Sequence, residues 1–385
     1  MNLDVARMDE TFAIPPGETI KEYVEYSSMT MEEFAQRLGV SKQTLARLYR
    51  GDQAITPDTA QKLALVTGVE AQFWAKLESD YRMALLREAR EGELETDMDW
   101  IKQFPIREMI KREFLPADYN RVSLQKQVDL FLGFFHMSSV AVFKKWLDEP
   151  RYAARTTKSV DADRYALETW VQMGVRLAQE RMRNKPLPVF DKDSFMNALK
   201  EVCGLSACLD EPGYNLKSYL LALRDKMESV GVVVVYLKKF NGVNQVNGIV
   251  RWLENRPVII LSLNGQSADR IIFSFSFFHE AGHVVKDGGR LQYVSRGEKT
   301  QEERGADDFA ATMLLPRKYE RELCDDNVGA LVVKDVARKA NVYSGIVYGR
   351  YQYLHGYWRR PNFRCHVQSI SWESLGKAAW TIGYD

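Results

Sequence analysis

The chain has 385 residues, more than one ordinary core holds and enough for two or three domains. Hydrophobic residues make up 45% and charged residues 27%, proportions typical of a soluble globular protein. Lysine and arginine together number 53 against 52 aspartates and glutamates, and this balance excludes nucleic-acid binding through bulk charge. Any contact with DNA must therefore come from a local basic surface.

Cysteine usage and the lengths of the apolar segments bear on the compartment. The four cysteines have no spacing typical of a metal site and are too sparse for a disulfide framework, so we expect reduced thiols. Met1–Glu10 carries no apolar run, and Val230–Tyr236 and Ile271–Phe278 are too short to span a bilayer. We therefore expect a cytoplasmic protein without a membrane partner.

Three regions follow one another, and together they predict a multidomain α+β protein. Residues 1–90 have the pattern of an all-α bundle, residues 91–225 that of a helical connecting region, and residues 226–385 that of an α+β domain. The charged segment Arg87–Asp99, which contains Gly92, is typical of a solvated joint between the first two regions.

In the first region, one helix is marked at both ends. Thr30 and Glu33 form a capping box, so we expect a helix that begins at Met31. Gly39 is typical of a helix end, because glycine adopts the left-handed backbone without strain.

A second helix follows, with Ser41 as its predicted cap and Arg50 as its last residue. Leu45 and Leu48 should face inward, and two short helices joined by a turn with glycine form a helix-turn-helix unit. The outward side chains suit a DNA major groove, because Gln and Arg read base edges and Lys pairs with phosphates. These candidate DNA-reading residues are Lys42, Gln43, Thr44 and Arg47.

Thr56 and Pro57 then begin a further helix, which would close the bundle. From spacing alone, the alternative is a small helical bundle that contacts only protein.

Four segments of residues 15–90 carry a resemblance to a known family: PPGE, LGVSKQTLARLYRG, ITPDTAQKLA and FWAKLESDY. They resemble HigA-type antitoxins of the Xre (phage-repressor) family. The resemblance implies that this module binds operator DNA as a homodimer, with the second helix in the groove and Lys42, Gln43, Thr44 and Arg47 as reading residues. It also implies a toxin as a partner.

In the connecting region, apolar periodicity predicts helices over Gln125–Phe135 and Ala162–Arg183. The turn cluster Asn184–Pro188 should end the second helix. Beyond it, the β-branched runs Gly231–Tyr236 and Val258–Leu263 predict a small sheet placed before a helix.

The sharpest motif in the chain is His279-Glu280-Ala-Gly-His283. On a helix, residues four apart lie on one face, so both imidazoles can reach one Zn²⁺ ion. Glu280 lies beside them and can take a proton from a water molecule that the metal makes more acidic.

The site needs a third protein ligand. The remaining histidines have no ligand spacing with this pair, whereas Glu303 and Asp307 share a helix face. Glu303 could complete the zinc site, and Asp307 could accept the second N–H of a ligating histidine. Glu302 remains the rival third ligand, because the helix phase is uncertain by one residue.

Other features of this region support a buried helix. Ile271–Phe278 should bury it and Gly288-Gly289 should end it. The aromatic side chains before the motif are expected in the core rather than in a substrate pocket: Phe273, Phe275, Phe277 and Phe278.

A peptidase also needs a group that stabilises the oxyanion of the reaction. The candidates by chain position are Tyr343, Tyr348, Arg350 and His355. For each of them, ordinary packing or a surface role is the alternative.

Residues 228–360 contain further segments similar to a known family, among them GVVVVYLKKFNG, DRIIFSFSFFHEAGHVVKDGG and ADDFAATMLLP. They resemble the ImmA/IrrE zinc metallopeptidases, which implies a zincin-like domain with His279, His283 and Glu303 as ligands and Glu280 as general base. Where that family usually has an acidic residue, this chain has Gly305. FPIREMIKREF and LFLGFF resemble the connecting segment of long HigA–ImmA/IrrE fusion proteins.

The combined resemblance implies an antitoxin-like transcriptional repressor with a zinc-dependent endopeptidase that cleaves itself or a partner repressor of the Xre type. One alternative is a non-catalytic sensor that binds operator DNA and a toxin or signal through a degenerate peptidase fold. Another is a plain protease whose helix-turn-helix docks protein.

Overall fold

The computed structural model describes residues 13–148, 161–243, 246–262, 269–287, 301–325, 328–356 and 381, apart from the side chains of residues 91, 161–163, 269–274 and 287. These residues form two compact units. The first contains the described residues up to Trp100 together with Val122–Asp129, and the second contains Ile101–Arg121 together with the described residues from Leu130 onward.

The first unit begins with four short helices and the start of a long one: α1 (Pro16–Tyr26), α2 (Met31–Leu38), α3 (Lys42–Arg50), α4 (Pro57–Thr67) and α5 (Ala71–Ile101). The predicted ends of α2 are confirmed. The Thr30 hydroxyl accepts the Glu33 N–H at 3.2 Å, and Gly39 is left-handed with φ 73°.

The predicted caps of α3 and α4 are also confirmed. Ser41 accepts the Thr44 N–H at 3.0 Å, and Thr56 accepts the Thr59 N–H at 3.2 Å. These bonds satisfy amide groups that a helix leaves without an internal partner. The apolar faces of the helices share one core, which includes Phe34, Leu45, Leu48, Leu63 and Trp74.

Gly17 allows α1 to pack closely on α3. A Cβ atom at this position would lie 2.2 Å from Cα of Tyr49 and 2.4 Å from the carbonyl oxygen of Leu48. Backbone atoms cannot move aside as a side chain can, so this contact requires glycine. The glycine of the PPGE segment is therefore explained by packing.

Helix α5 corrects one expectation from the sequence. The charged segment Arg87–Asp99 is not a joint, because it lies within the 31 residues of α5. Residues 87–90 are exposed on the helix surface, which accounts for their polarity. Gly92 is tolerated within the helix, where glycine costs about 1 kcal/mol relative to alanine.

The connecting region is helical, as predicted, and its helices are α6 (Ile106–Lys111), α7 (Leu124–Phe135), α8 (Val140–Asp148), α9 (Asp161–Asn184), α10 (Lys192–Leu205) and α11 (Leu216–Glu228). Helix α9 ends at Asn184, the first residue of the predicted turn cluster. Short 3₁₀ turns lie at Tyr119–Arg121, Ser206–Asp210 and Arg317–Leu323.

A three-stranded sheet follows, formed by β1 (Val233–Tyr236), β2 (Gly248–Leu253) and β3 (Arg256–Leu261) in the order β1-β3-β2. Strands β1 and β3 are parallel, and β2 is antiparallel to β3 with Gly248 opposite Leu261. The sequence predicted β1 and β3 but not β2.

Four helices complete the described fold: α12 (Asp269–Asp287), α13 (Gln301–Leu314), α14 (Ala330–Ala340) and α15 (Ser344–His355). The core of this unit contains Phe277 and Phe278 of α12, as predicted, together with residues of the sheet and of α10, α11 and α15. The expected helix stop Gly288-Gly289 lies outside the described residues. Among the described helices, none combines the length and the apolar character that a bilayer crossing requires.

Candidate metal centre and nucleic-acid interface

Helices α12 and α13 bring His279, His283 and Glu303 together. Nε2 of His279 lies 3.2 Å from Nε2 of His283 and 3.3 Å from Oε2 of Glu303. Nε2 of His283 lies 3.6 Å from Oε1 of Glu303. Two imidazoles one helical turn apart and a carboxylate from a second helix thus converge on one point.

The donor set and its spacing fit Zn²⁺. Ligands about 2.0–2.1 Å from a tetrahedral ion are about 3.3–3.4 Å apart, close to the separations within this group. One ligand atom from each of the three residues lies within 4.8 Å of the others. Among the residues that the structure describes, these three form the group, and three protein ligands with a fourth position left for water are typical of catalytic zinc sites.

Asp307 fixes the orientation of one imidazole. Its Oδ1 lies 2.9 Å from Nδ1 of His279, on the opposite side of the ring from Glu303. With the proton on Nδ1, the lone pair of Nε2 faces His283 and Glu303. The side chain that the sequence placed behind the ligand therefore lies in hydrogen-bond contact with it.

The electrostatics of the group favour a cation. Burial lowers the pKa of His279, but hydrogen bonds with Asp307 and Glu303 outweigh this effect and raise the pKa to about 10. A positive charge is therefore stable between these carboxylates, whether a proton or a metal ion carries it.

Glu280 lies at the wall of a cavity of about 200 Å³ that His279, His283, Glu303 and Asp307 also line. Burial raises the pKa of Glu280 to about 7, with the His279 charge lowering it and Glu303 raising it. A carboxyl group with a pKa near the working pH is suited to general acid–base chemistry.

The geometry favours Glu303 over its neighbour. Glu303 is 5% exposed and faces the two histidines, whereas Glu302 is exposed. Gly305 stands close to Lys286, whose ammonium donates to its carbonyl oxygen at 2.6 Å and lies 3.0 Å from the place of a Cβ atom. An acidic side chain at position 305 would meet Lys286.

The predicted oxyanion groups lie elsewhere, and in the described part of the chain none of the four lines this cavity. Tyr343 and Tyr348 are buried in the core. Arg350 pairs with Glu320 at 2.6 Å, and Nε2 of His355 lies 2.7 Å from the carbonyl oxygen of Leu323.

Residues outside the motif complete the cavity wall: Val246, Asn247, Gly248, Phe275 and Ser276. Phe275 packs against the core and also lines the cavity, with its ring centre 6.3 Å from that of His279, so the prediction of a core role was incomplete. Among the other aromatic residues before the motif, Phe273 has a side chain outside the described part of the structure. Val246, Asn247 and Gly248 were missed, since no local signal connects them to a helix further along the chain.

Helix α3 presents the candidate DNA-reading residues unequally. Lys42, Gln43 and Arg47 are exposed, and Lys42 pairs with Glu32 at 2.7 Å. Thr44 is half-buried, and its hydroxyl lies 2.9 Å from that of Ser41 within the helix cap. Gln43 and Arg47 are four residues apart and so share one face of the helix.

Comparison with known proteins bears on this module. Residues 20–74 match the helix-turn-helix family model. The uncharacterized HTH-type transcriptional regulator YddM of Escherichia coli is 33% identical over 69 residues, which are 18% of this chain and 73% of that protein. Virulence-associated protein I of Dichelobacter nodosus is 29% identical over 88 residues, 23% of this chain and 82% of that protein.

Two solved structures are also similar. A HigA-family addiction module antidote protein from Coxiella burnetii is 25% identical, has a TM-score of 0.21, and covers 22% of this chain and 95% of its own. A putative antidote protein of a plasmid maintenance system from Nostoc punctiforme is 28% identical, has a TM-score of 0.22, and covers 23% of this chain and 97% of its own.

The capped helix pair and the matched residues define a helix-turn-helix protein. The chain belongs to the family of HTH-type transcriptional regulators. The zinc-peptidase interpretation of residues 226–385 is not tested by these relatives and stays a prediction.

Proposed function

We propose that the chain is a DNA-binding transcriptional repressor that carries a zinc-dependent endopeptidase site in its second unit. The observation that carries the proposal is the convergence of His279, His283 and Glu303 beside Glu280, in a chain of the helix-turn-helix family. Operator DNA is the proposed ligand of the first unit. An Xre-type repressor, including the chain itself, is the proposed substrate of the second.

The first unit binds DNA through α3. Gln43 and Arg47 stand on one exposed face, where an amide and a guanidinium can read purine edges. The proposed repressor acts as a homodimer, so that two copies of α3 meet two half-sites. A toxin is the proposed protein partner, on the basis of the likeness of residues 15–90 to HigA-type antitoxins.

DNA binding is tested by selecting sites from random duplex DNA with the full chain and measuring affinity against salt. Arg47→Ala should weaken binding of the selected site by about 1–3 kcal/mol, roughly 5- to 150-fold. Arg37→Ala is the matched control, because Arg37 is an exposed arginine of α2 that pairs with Glu33. Equal affinity for both variants would contradict the role of α3.

In the second unit, His279, His283 and Glu303 would hold Zn²⁺. When bound, zinc supplies Lewis acidity that activates water and polarises a peptide carbonyl group. Glu280 accepts the proton of the attacking water and passes it to the leaving amine. Asp307 keeps the proton of His279 on Nδ1 and so leaves Nε2 as the ligand atom.

The peptidase is tested with Glu280→Gln in the zinc-loaded chain. The substrates are the chain itself and a library of peptides of random sequence, with products identified by mass spectrometry. The wild type should contain one zinc per chain and cleave, whereas the variant should keep zinc and lose cleavage at least about 100-fold. Zinc without cleavage in the wild type would favour the non-catalytic sensor, and the absence of zinc would overturn the peptidase.

A further inference from the structure

Gly248, the first residue of β2, stands against the side chain of Glu280. A Cβ atom at position 248 would lie 2.6 Å from Cγ, 2.7 Å from Oε1 and 3.0 Å from Cδ of Glu280. All three nearest atoms belong to this one side chain, and both residues line the cavity of the metal centre. The carboxylate of Glu280 thus occupies the space that any other residue at position 248 would fill.

The requirement for glycine is one of space and not of backbone conformation. Gly248 is not among the glycines of the described chain with positive φ, and it pairs with Leu261 in the ordinary antiparallel register. Alanine can adopt that backbone without strain. A substitution there therefore tests the contact with Glu280 by itself.

When a Cβ atom is added at position 248, the side chain of Glu280 must move to avoid it. The backbone before Gly248 is held by the residue that follows β3, since the Ser262 N–H donates to the carbonyl oxygen of Asn247 at 2.9 Å. The Glu280 side chain can turn about its own bonds, and the cavity of about 200 Å³ beside it offers room. The fold then survives while the carboxylate leaves its place.

We propose that Gly248 is a positioning residue for Glu280: its missing side chain lets the carboxylate lie against β2 at the cavity wall. This inference rests on the proposed function, in which Glu280 is the general base. A misplacement of about 1 Å can slow an enzymatic reaction about 100-fold. Gly248→Ala should therefore lower kcat by that order with little effect on KM and none on zinc content.

The first test is structural and does not depend on activity. In a crystal structure of zinc-loaded Gly248→Ala, the Glu280 carboxylate should be displaced by more than about 1 Å, the scale at which catalysis suffers. Nε2 of His279 and of His283 should keep their places. A carboxylate in its original position would overturn the inference even if the wild type proves to be an active peptidase.

The second test is kinetic, with a single peptide that the wild type cleaves in the random library as substrate. Glu280→Gln lacks the base whose position Gly248 is proposed to set, so displacing the side chain at position 280 costs that enzyme little more. Gly248→Ala should therefore slow the residual cleavage by the Glu280→Gln enzyme far less than it slows the wild type. Gly133→Ala is the control, because a Cβ atom there meets open space. Equal slowing in both backgrounds would overturn the inference. If the wild type cleaves nothing but the Glu280 carboxylate is displaced in Gly248→Ala, only the proposed function is overturned.

Discussion

Asp307 accepts a hydrogen bond from Nδ1 of His279 at 2.9 Å, and this contact determines which imidazole nitrogen faces Glu303. Without this hydrogen bond the imidazole can rotate or change tautomer. Its Nε2 lone pair then faces the metal position for only part of the time.

Asp307→Ala should lower the affinity for Zn²⁺ by about 10- to 100-fold, the usual effect of removing the partner of a ligating histidine. Competition with a chelator of known affinity measures it. Asp308→Ala is the matched control, because the neighbouring carboxylate is exposed and pairs with Arg317 at 2.8 Å. Equal affinities of the two variants would show that Asp307 does not orient the ring.

Glu303→Gln should lower zinc affinity further, by more than the roughly 100-fold that loss of an outer hydrogen bond produces. The amide that replaces the carboxylate has no negative charge and is a poor zinc ligand. Glu302→Gln, one residue away on the exposed side of α13, should leave zinc affinity unchanged. The reverse order would make Glu302 the ligand.

Glu228 should make stability depend on pH. Its carboxylate, with a side chain 0% exposed, accepts from Nε of Arg181 at 2.9 Å and from Nζ of Lys185 at 2.7 Å. Burial raises the pKa of Glu228, but hydrogen bonds from Arg181 and Lys185 outweigh it and hold the pKa below its ordinary value.

The native protein therefore binds fewer protons at this site than the unfolded chain does. The stabilisation is complete above the ordinary glutamate pKa of about 4.3 and is lost as the pH falls through the lowered value. Glu228→Gln should destabilise the protein by roughly 1–2 kcal/mol at pH 7, and the difference from wild type should shrink as the pH falls below about 4.

Chemical unfolding at a series of pH values measures this difference. The control is Glu201→Gln, since Glu201 is 60% exposed and pairs with Lys226 at the surface. It should change stability by less than about 1 kcal/mol. A difference between wild type and Glu228→Gln that stays constant across pH would contradict the assignment.

Gly17→Ala should weaken the first unit, because its added methyl group meets the backbone of Tyr49 and Leu48. We expect a loss of about 1–3 kcal/mol in the local stability of α1 and α3. Hydrogen exchange read by mass spectrometry on peptides from these helices measures it. Gly92→Ala, in open space within α5, should have no such effect.

The sequence predicted most accurately where the signal is local. The ends of α2 and α3 depend on side chains that bond their own helix, so Thr30, Gly39 and Ser41 were sufficient. The proximity of these side chains in the structure follows the same rule, because helical spacing alone pairs His279 with His283 and Glu303 with Asp307. That they bind zinc stays a prediction.

The sequence predicted wrongly where contacts with distant residues determine the local structure. Arg87–Asp99 has no apolar period, yet it continues a helix that begins at Ala71. Strand β2 depends on pairing with β3, and Gly248 at its start is explained only by the side chain of Glu280. Such contacts have no counterpart in the local sequence pattern.

The unbroken course of α5 has a consequence for any cleavage that would detach the DNA-binding module. Proteases take hold of backbone in an extended form, and they cut most readily at exposed tips and termini. From Ala71 to Ile101 the backbone is instead helical, and its amide groups form hydrogen bonds within the helix. A cut near Arg87–Asp99 would first have to unwind several turns, so the release of the module would be governed by how often this helix opens.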